Sequence, residues 1–198
     1  MPLSNFALDK FVAQDYSKLT VCKSPTIGTD FQDYEHWLHN FLLNRILKQN
    51  IADELAALAI AIIRRCQAAI EHHDSARNSL ESFVNGERTI TNYFRSLRNF
   101  EIAVSFTYQA FDIGRKAAAF SLFTTGDGSP YEKLNRIYNT SKHAQPNQLP
   151  PGQIHTVWLT NAGLTGDGIV LTFEDLAGSI KELARISSKV SRMDASVS

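Results

Sequence analysis

The sequence predicts a mainly α protein, an antiparallel bundle of about four or five long helices with a small β-hairpin before the last helix. Three observations predict this class. Long segments between residues 30 and 142 carry apolar residues at the three- and four-residue spacing of a helix. β-branched and aromatic residues then cluster in the shorter stretch 154–173. The chain has 198 residues, enough to bury a core within one domain, and we expect a single domain over 1–198.

Composition limits the class of protein. Lysine plus arginine number 20 and aspartate plus glutamate number 20, so the formal net charge is zero. This excludes a strongly basic nucleic-acid-binding domain but leaves room for a local basic patch. The two cysteines are widely spaced, which favours free thiols and a cytoplasmic protein. The longest apolar run, LAALAIAII at 55–63, is about half the length of a membrane span.

The first part of the chain is predicted to be an extension of the bundle, over residues 1–29. A short helix over about 4–18 leads into a loop that contains Pro25 and Gly28. Asp30 is then predicted to cap the first bundle helix.

Two long helices follow that first bundle helix. Asn50 is predicted to cap a helix that Asn85-Gly86 ends. The next helix, over about 87–121, carries apolar residues on more than one face. A helix with this pattern is expected at the centre of the bundle or at an interface.

Ser129, Pro130 and Glu132 form the best-defined helix start in the chain. Serine is a good N-cap, proline suits the first helical position, and the glutamate completes a capping box. After this helix, IHTVWLT and GIVLTF are predicted to pair as a hairpin over 154–173, with NAGLTGDG as a long turn. A last amphipathic helix follows, and 191–198 are predicted to be a frayed tail.

The helix that contains KLNRIYNTSKHA, residues 133–144, holds the strongest candidate for a functional site. Arg136 and His143 are seven residues apart, and seven helical steps fall about 20° short of two full turns. The two side chains therefore share one face, roughly 10 Å apart along the axis. Asn139 and Lys142 lie near that face by the three- and four-residue rule.

These residue types suit cleavage of RNA without a metal ion. Histidine can move a proton to or from the ribose 2′-hydroxyl or the leaving 5′-oxygen at neutral pH. Arginine supplies a permanent planar cation for the charge that builds on the phosphate. In this hypothesis His143 moves the proton, Arg136 stabilises the phosphorane, and Asn139 and Lys142 assist. The alternative is the solvated face and basic end of an ordinary helix, where the helix dipole favours cations.

The segment RIYNTSKH, from Arg136 to His143, resembles the signature of the HEPN (higher eukaryotes and prokaryotes nucleotide-binding) superfamily. That signature is an arginine followed several residues later by a histidine on a late helix. The stretches VWLT and IVLTFEDL that follow are similar to those of HEPN-like bacterial proteins. Many active members have a polar residue directly after the arginine, where this chain has Ile137.

The resemblance implies a metal-independent endoribonuclease of a toxin–antitoxin or phage-defence system. It also implies a homodimer in which two Arg/His motifs form one composite site, with an antitoxin or defence protein as a further partner. The alternative within the same family is a non-catalytic module that binds RNA, a nucleotide or a protein. A helical interaction protein without a nucleic-acid role is the third interpretation.

Two other polar clusters of the sequence have an ordinary surface role as the alternative to a functional one. Arg88, Arg95 and Arg98 lie with an aromatic residue on the third long helix, and such a pattern suits an RNA backbone. With Lys133 they are the predicted RNA-binding residues, and the alternative is pairing with glutamates of neighbouring helices. The histidine pairs of the first two bundle helices do not predict a metal site, because no cysteine pair or glutamate-flanked histidine motif accompanies them. No cofactor is predicted.

Overall fold

The described part of the chain contains six α-helices and three short strands. The computed structural model describes residues 4–48, 51–86, 88–143, 149 and 154–192. The helices are α1 (Asn5–Phe11), α2 (Trp37–Lys48), α3 (Asp53–Val84), α4 (Ile90–Ala118), α5 (Pro130–Lys142) and α6 (Phe173–Arg192). The strands are β1 (Val157–Leu159), β2 (Gly163–Gly166) and β3 (Ile169–Thr172). The predicted class, a mainly helical bundle with a small sheet before the last helix, is confirmed.

Helices α3 and α4 form a long antiparallel hairpin at the centre of the bundle. The Ser96 hydroxyl of α4 donates to the Ala76 carbonyl of α3 at 2.9 Å, and the His73 and Phe100 rings meet edge to face at 5.7 Å. Helix α4 also packs against α5 and α6. The apolar residues on several faces of α4 are therefore packed against neighbouring helices, and the predicted central position of α4 is confirmed.

Helix α2 packs on α6 and begins later than the sequence suggests. The predicted start at Asp30 is wrong, because residues 28–30 and 34–36 form separate 3-10 turns. The Asp30 carboxylate caps no helix and pairs with Lys181 Nζ of α6 at 2.6 Å. Trp37 and Phe41 of α2 are fully buried. Asn50, the predicted cap of the next helix, lies outside the described residues.

The segment before α2 closes over the end of the bundle where α3 ends and α4 begins. Among its described residues the one α-helix is α1, which is shorter than the predicted helix over 4–18. Tyr16 is buried, and its ring lies edge to face with Phe83 of α3 at 5.0 Å. The Asn161 amide accepts from the Thr20 N–H at 2.9 Å and donates to the Lys18 carbonyl at 3.1 Å. This first segment is thus tied to the loop between β1 and β2.

The sheet has three antiparallel strands in the order β1-β2-β3, not the two that the sequence predicts. The middle strand, β2, lies inside the stretch NAGLTGDG that was predicted to be a turn. Gly163 of β2 lies against β3 so closely that a Cβ there would be 2.1 Å from the Leu171 carbonyl oxygen. Glycine is needed at this position for close approach of two backbones, which is why the pattern resembles a turn.

The first half of α3 contains the long apolar run LAALAIAII at 55–63. Helix α3 extends for 32 residues and includes charged residues in its first turn and beyond this run. Within the described ranges, no helix has the length and apolar character needed to cross a membrane.

The start of α5 matches the predicted N-cap but not the predicted capping box. The Ser129 hydroxyl accepts from the Glu132 N–H at 3.2 Å, as expected of an N-cap. The Glu132 carboxylate, however, accepts from the N–H groups of Gly126 and Gly128 at 2.6 and 2.7 Å. The Ser129 N–H donates instead to Asp127 at 2.8 Å. Glu132 therefore fixes the loop that leads into α5.

We predict that Glu132→Ala lowers the free energy of unfolding by about 2–4 kcal/mol. The substitution removes two charge-assisted hydrogen bonds to backbone N–H groups of exposed glycines, at about 1–2 kcal/mol for each. Ser129→Ala, which removes only the N-cap bond, is the matched comparison at about 1 kcal/mol. Urea denaturation measures both values. An effect of Glu132→Ala that does not exceed that of Ser129→Ala would contradict this role.

Candidate functional site

Helix α5 lies between α4 on one side and the sheet and α6 on the other. The Tyr138 ring stacks on Tyr108 of α4 at 4.7 Å, and the Ser141 hydroxyl donates to Glu101 of α4 at 2.7 Å. These contacts show that α5 runs antiparallel to α4, with its carboxyl end beside the first half of α4. Ile137 is fully buried, so the residue after Arg136 belongs to the hydrophobic core.

Arg136 is held by the turn between β2 and β3. Its Nη2 donates to the Asp167 carboxylate and to the Asp167 carbonyl oxygen, both at 2.7 Å, and its Nε lies 3.3 Å from the same carboxylate oxygen. Its Nη1 has no hydrogen-bond partner among the described residues, and 40% of the side chain is exposed. The guanidinium therefore has one fixed orientation with one nitrogen free to donate.

His143 is the C-cap residue of α5. Its N–H donates to the Asn139 carbonyl at 3.0 Å, and its side chain is exposed. Within the described part of the chain, its ring makes no hydrogen bond. An ideal helix would place position 143 about 20° around the axis from Arg136, but α5 ends at Lys142 and the His143 backbone departs from the helix with φ −104° and ψ 38°. The shared face of the two side chains therefore stays a prediction, and His143 is exposed to solvent.

Asn139 and Lys142, the two predicted assisting residues, are exposed on α5. The Asn139 amide donates to Asn135 at 3.0 Å. Lys142 Nζ lies 5.8 Å from the centre of the Tyr138 ring, on the side of α5 that faces α4. Helical geometry puts Lys142 about 120° around the axis from Arg136, whereas Asn139 is about 60° away. Asn139 is therefore the closer of the two to the face that carries Arg136.

The four predicted RNA-binding residues fall into two groups. Arg88 donates to the carbonyls of Tyr16 and Leu19, both at 2.8 Å, and Lys133 Nζ lies 3.0 Å from the Asp175 carboxylate. These two cations stabilise the fold through their contacts. Arg95 and Arg98 are exposed, and within the described ranges they form no ion pair.

Arg95 and Arg98 lie along a surface groove of about 460 Å³ on α4. The described residues that line it are Thr91, Phe94, Arg95, Leu97, Arg98 and Glu101. Glu101 joins the groove to α5 through the hydrogen bond from Ser141. Because α4 and α5 are antiparallel, Arg98 lies one helical turn beyond Glu101, at the level where α5 ends. Glu101 and Arg98 are therefore the groove residues nearest in level to the end of α5, although no described residue of α5 lines the groove.

Glu101 is an acidic group inside this basic groove. Burial raises the pKa of the Glu101 carboxyl, and the hydrogen bond from Ser141 and the nearby His155 reduce that shift without cancelling it.

No group of three or more histidine, cysteine, aspartate or glutamate side chains suited to a metal ion occurs among the described residues. His72 Nδ1 lies 2.9 Å from the Asn99 amide oxygen, and its ring stacks on Phe106. His73, its neighbour, is fully buried.

His73 belongs to a buried polar cluster that sequence reasoning missed. Its Nε2 lies 3.2 Å from Ser24 Oγ and its Nδ1 lies 3.2 Å from Asp74 Oδ1. This order of serine, histidine and aspartate is that of a hydrolase triad. Ser24, however, is only 5% exposed, and its carbonyl accepts from Arg77 at 3.0 Å. The cluster therefore fixes the segment around residue 24 to α3.

Asp74 joins this cluster to the backbone of the segment that precedes α2. Its carboxylate accepts from the N–H groups of Ile27 and Gly28 at 3.1 and 2.8 Å. Burial acts to raise the pKa of Asp74, but the hydrogen bonds from His73 and these N–H groups outweigh it and lower that pKa. The sequence carries no local signal for this cluster, since 49 positions separate Ser24 from His73.

Comparison with protein families, with curated proteins and with solved structures finds no match to this chain.

We predict that Asp74 contributes stability that acid removes. A carboxyl whose pKa is lower in the folded state stabilises the protein above its unfolded pKa, about 3.9. That contribution is lost as the pH falls through the lower folded pKa. Asp74→Asn is expected to lower the free energy of unfolding at pH 7 by about 1–3 kcal/mol and to flatten its fall in acid. Denaturant titrations from about pH 7 to pH 2 measure both effects.

The matched control is Asp53→Asn, because the Asp53 side chain is 93% exposed. Its effect at pH 7 is expected to stay below about 1 kcal/mol. Equal losses in the two variants at pH 7 would contradict the anchoring role of Asp74.

Proposed function

We propose that this chain binds RNA at the carboxyl end of α5 and cleaves it without a metal ion. The observation that carries the proposal is an exposed His143 at the end of α5, about two helical turns after an Arg136 that Asp167 holds in one orientation. The resemblance of RIYNTSKH to the HEPN signature supports the reaction type. A role in a toxin–antitoxin or defence system, with a matching protein partner, is part of the same proposal.

In the proposed reaction, neutral His143 accepts the proton of the ribose 2′-hydroxyl. The 2′-oxygen then attacks phosphorus, the bond from phosphorus to the 5′-oxygen breaks, and His143 returns the proton to the leaving 5′-oxygen. The products are a 2′,3′-cyclic phosphate and a 5′-hydroxyl end. Arg136 Nη1 would donate to a non-bridging oxygen while negative charge builds on the phosphate.

Asp167 sets how Arg136 can act in this reaction. It engages Nε and Nη2, so the guanidinium is already oriented before a phosphate arrives. Such preorganised donors stabilise a transition state without a cost of reorientation. The same carboxylate also offsets the charge of Arg136, which lowers the attraction for a phosphate in the ground state.

The α4 groove supports the RNA-binding part of the proposal. Arg95 and Arg98 are exposed cations without an ion pair in the described part of the chain, and the Phe94 side chain lines the same groove. Cations that track a backbone next to an aromatic side chain are typical of single-strand binding. Arg98 lies near the level at which α5 ends, so we expect one strand to contact both the groove and α5.

A second candidate function is RNA binding without cleavage. The ion pair between Arg136 and Asp167 favours it, because an arginine that links α5 to the sheet already has a structural role. In this case Arg95, Arg98 and Lys142 form a binding surface, and His143 performs no proton transfer.

We predict that the purified full chain cleaves single-stranded RNA in the presence of EDTA. His143→Ala is expected to reduce the rate by about 10²–10⁴-fold, since it removes the proton carrier. Arg136→Ala is expected to reduce it by about 10²–10³-fold through loss of charge stabilisation. Gel analysis of labelled RNA, with detection of 2′,3′-cyclic phosphate ends, measures the rate and the product.

His36→Ala, which removes another exposed histidine, is the matched control and should cleave at the wild-type rate. Equal rates for wild type and His143→Ala would refute the proposed reaction. Binding of RNA by a wild-type chain that does not cleave would select the second candidate.

We predict that Arg95→Ala combined with Arg98→Ala weakens binding of single-stranded RNA. Each lost phosphate contact should lower the slope of log K against log salt by about 0.7, so the pair lowers it by about 1.4. Fluorescence anisotropy at a series of salt concentrations measures the slope. Arg185→Ala, an exposed arginine on α6, is the control and should leave the slope unchanged. An unchanged slope in the double variant would exclude the groove as the RNA path.

A further inference from the structure

Helix α2 carries apolar side chains on the side that faces away from the bundle. Trp37 and Phe41 point inward and are fully buried. On the opposite side, the exposed fractions are 39% for Leu42, 44% for Leu43, 68% for Ile46 and 78% for Leu47. We call these four residues the outer face of α2.

This outer face is unusual for a helix at the surface of a monomer. Such a helix normally presents polar or charged residues to solvent. By helical geometry the arc from Leu42 to Leu47 also includes His39, and no charged residue of α2 projects from it. Adjacent exposed aliphatic side chains mark an interaction site rather than scattered surface residues.

The charges at the two ends of α2 have opposite signs. Beside its first turns, Arg192 of α6 lies 3.2 Å from Asp33, and Lys189 is exposed one helical turn away. At its other end, Arg45 pairs with Asp53 of α3, and Glu54 follows. Lys189 and Glu54 form no ion pair in the described part of the chain. Within the described residues, one end of α2 thus has a cation without an ion-pair partner, and the other end has a carboxylate without one.

We infer that the outer face of α2 is the contact between two copies of this chain, with the two α2 helices antiparallel about a two-fold axis. A two-fold axis places the same surface on both sides, so each end of α2 meets the opposite end of its partner. Lys189 of one copy then approaches Glu54 of the other. A strongly basic or acidic partner would not match a rim that carries both signs.

The overall charge of the chain is compatible with this self-association. The formal net charge is zero, so two copies approach without the net repulsion that keeps highly charged proteins monomeric. Helix α2 has 12 residues and is about 18 Å long. Its outer face is therefore the apolar centre of the contact, and the ends of α3 and α6 form the charged rim.

The proposed contact lies far from the Arg136 and His143 pair. Helix α2 meets α6 at Ser191, to whose carbonyl Asn44 donates at 3.1 Å, whereas α5 meets α6 through Lys133 and Asp175. The rise along α6 between Ser191 and Asp175 is about 24 Å, and His143 is about 15 Å beyond Lys133 along α5. Each copy would keep its own open α5 end, in contrast to the composite site that the HEPN resemblance implies.

Sedimentation velocity over a range of concentrations tests this inference. The wild-type chain is expected to show twice the 22.1 kDa mass of one copy, and Leu43→Glu combined with Ile46→Glu the mass of one copy. Phe6→Glu is the matched control, because Phe6 is 72% exposed on α1 and should leave the dimer intact. A wild-type chain that stays monomeric at all concentrations, or a double variant that stays dimeric, would overturn the inference.

Charge reversal tests the antiparallel arrangement and changes only exposed side chains. Glu54→Lys and Lys189→Glu should each raise the dimer dissociation constant, by about tenfold, and the combined variant should restore it. A combined variant weaker than either single one would overturn the two-fold pairing. The inference is independent of the proposed RNA cleavage, because His143→Ala should leave the dimer intact and Leu43→Glu with Ile46→Glu should leave RNA binding intact.

Discussion

The burial of α4 on several sides is the constraint on which the rest of the structure depends. Its residues Tyr93, Phe100 and Phe111 all lie in the core, and each such side chain gains about 1.5–3 kcal/mol when water is removed from it. A helix with apolar residues around most of its circumference needs a neighbour on each side. Helices α3, α5 and α6 supply them. Tyr93 also links α4 to the sheet, because its hydroxyl accepts from the Leu159 N–H at 3.2 Å.

The position of α5 follows from contacts at three levels along its length. Glu132 fixes its start, Arg136 links its middle to the turn after β2, and Ser141 bonds to α4 near its end. Past Ser141, the side chains of Lys142 and His143 are exposed. The end of α5 is thus held by its neighbours and carries exposed polar side chains. Functional sites need side chains on supported elements of this kind.

The sequence predicts the features that depend on residues close together along the chain. The start of α5 follows from Ser129 and Pro130, and the central place of α4 follows from its apolar pattern. The strand β2 could not be predicted, because Gly163 serves a close backbone approach that only the paired strands reveal. The sequence likewise could not predict which arginines would have hydrogen-bond or ion-pair partners in the fold. Arg88 bonds to carbonyls 69 and 72 residues away, whereas Arg95 forms no ion pair within the described residues, and nothing local distinguishes them.

The contacts between the first segment and the β1–β2 loop have a consequence for the order in which the protein folds. Residues 18–20 bond to Asn161, and the Val12 carbonyl lies 2.7 Å from His155 Nε2. During synthesis these early residues lack their partners until about 140 further residues have been added. The central hairpin can form sooner, because its contacts are closer in sequence. Closure of this end of the bundle is therefore expected to follow formation of the central hairpin.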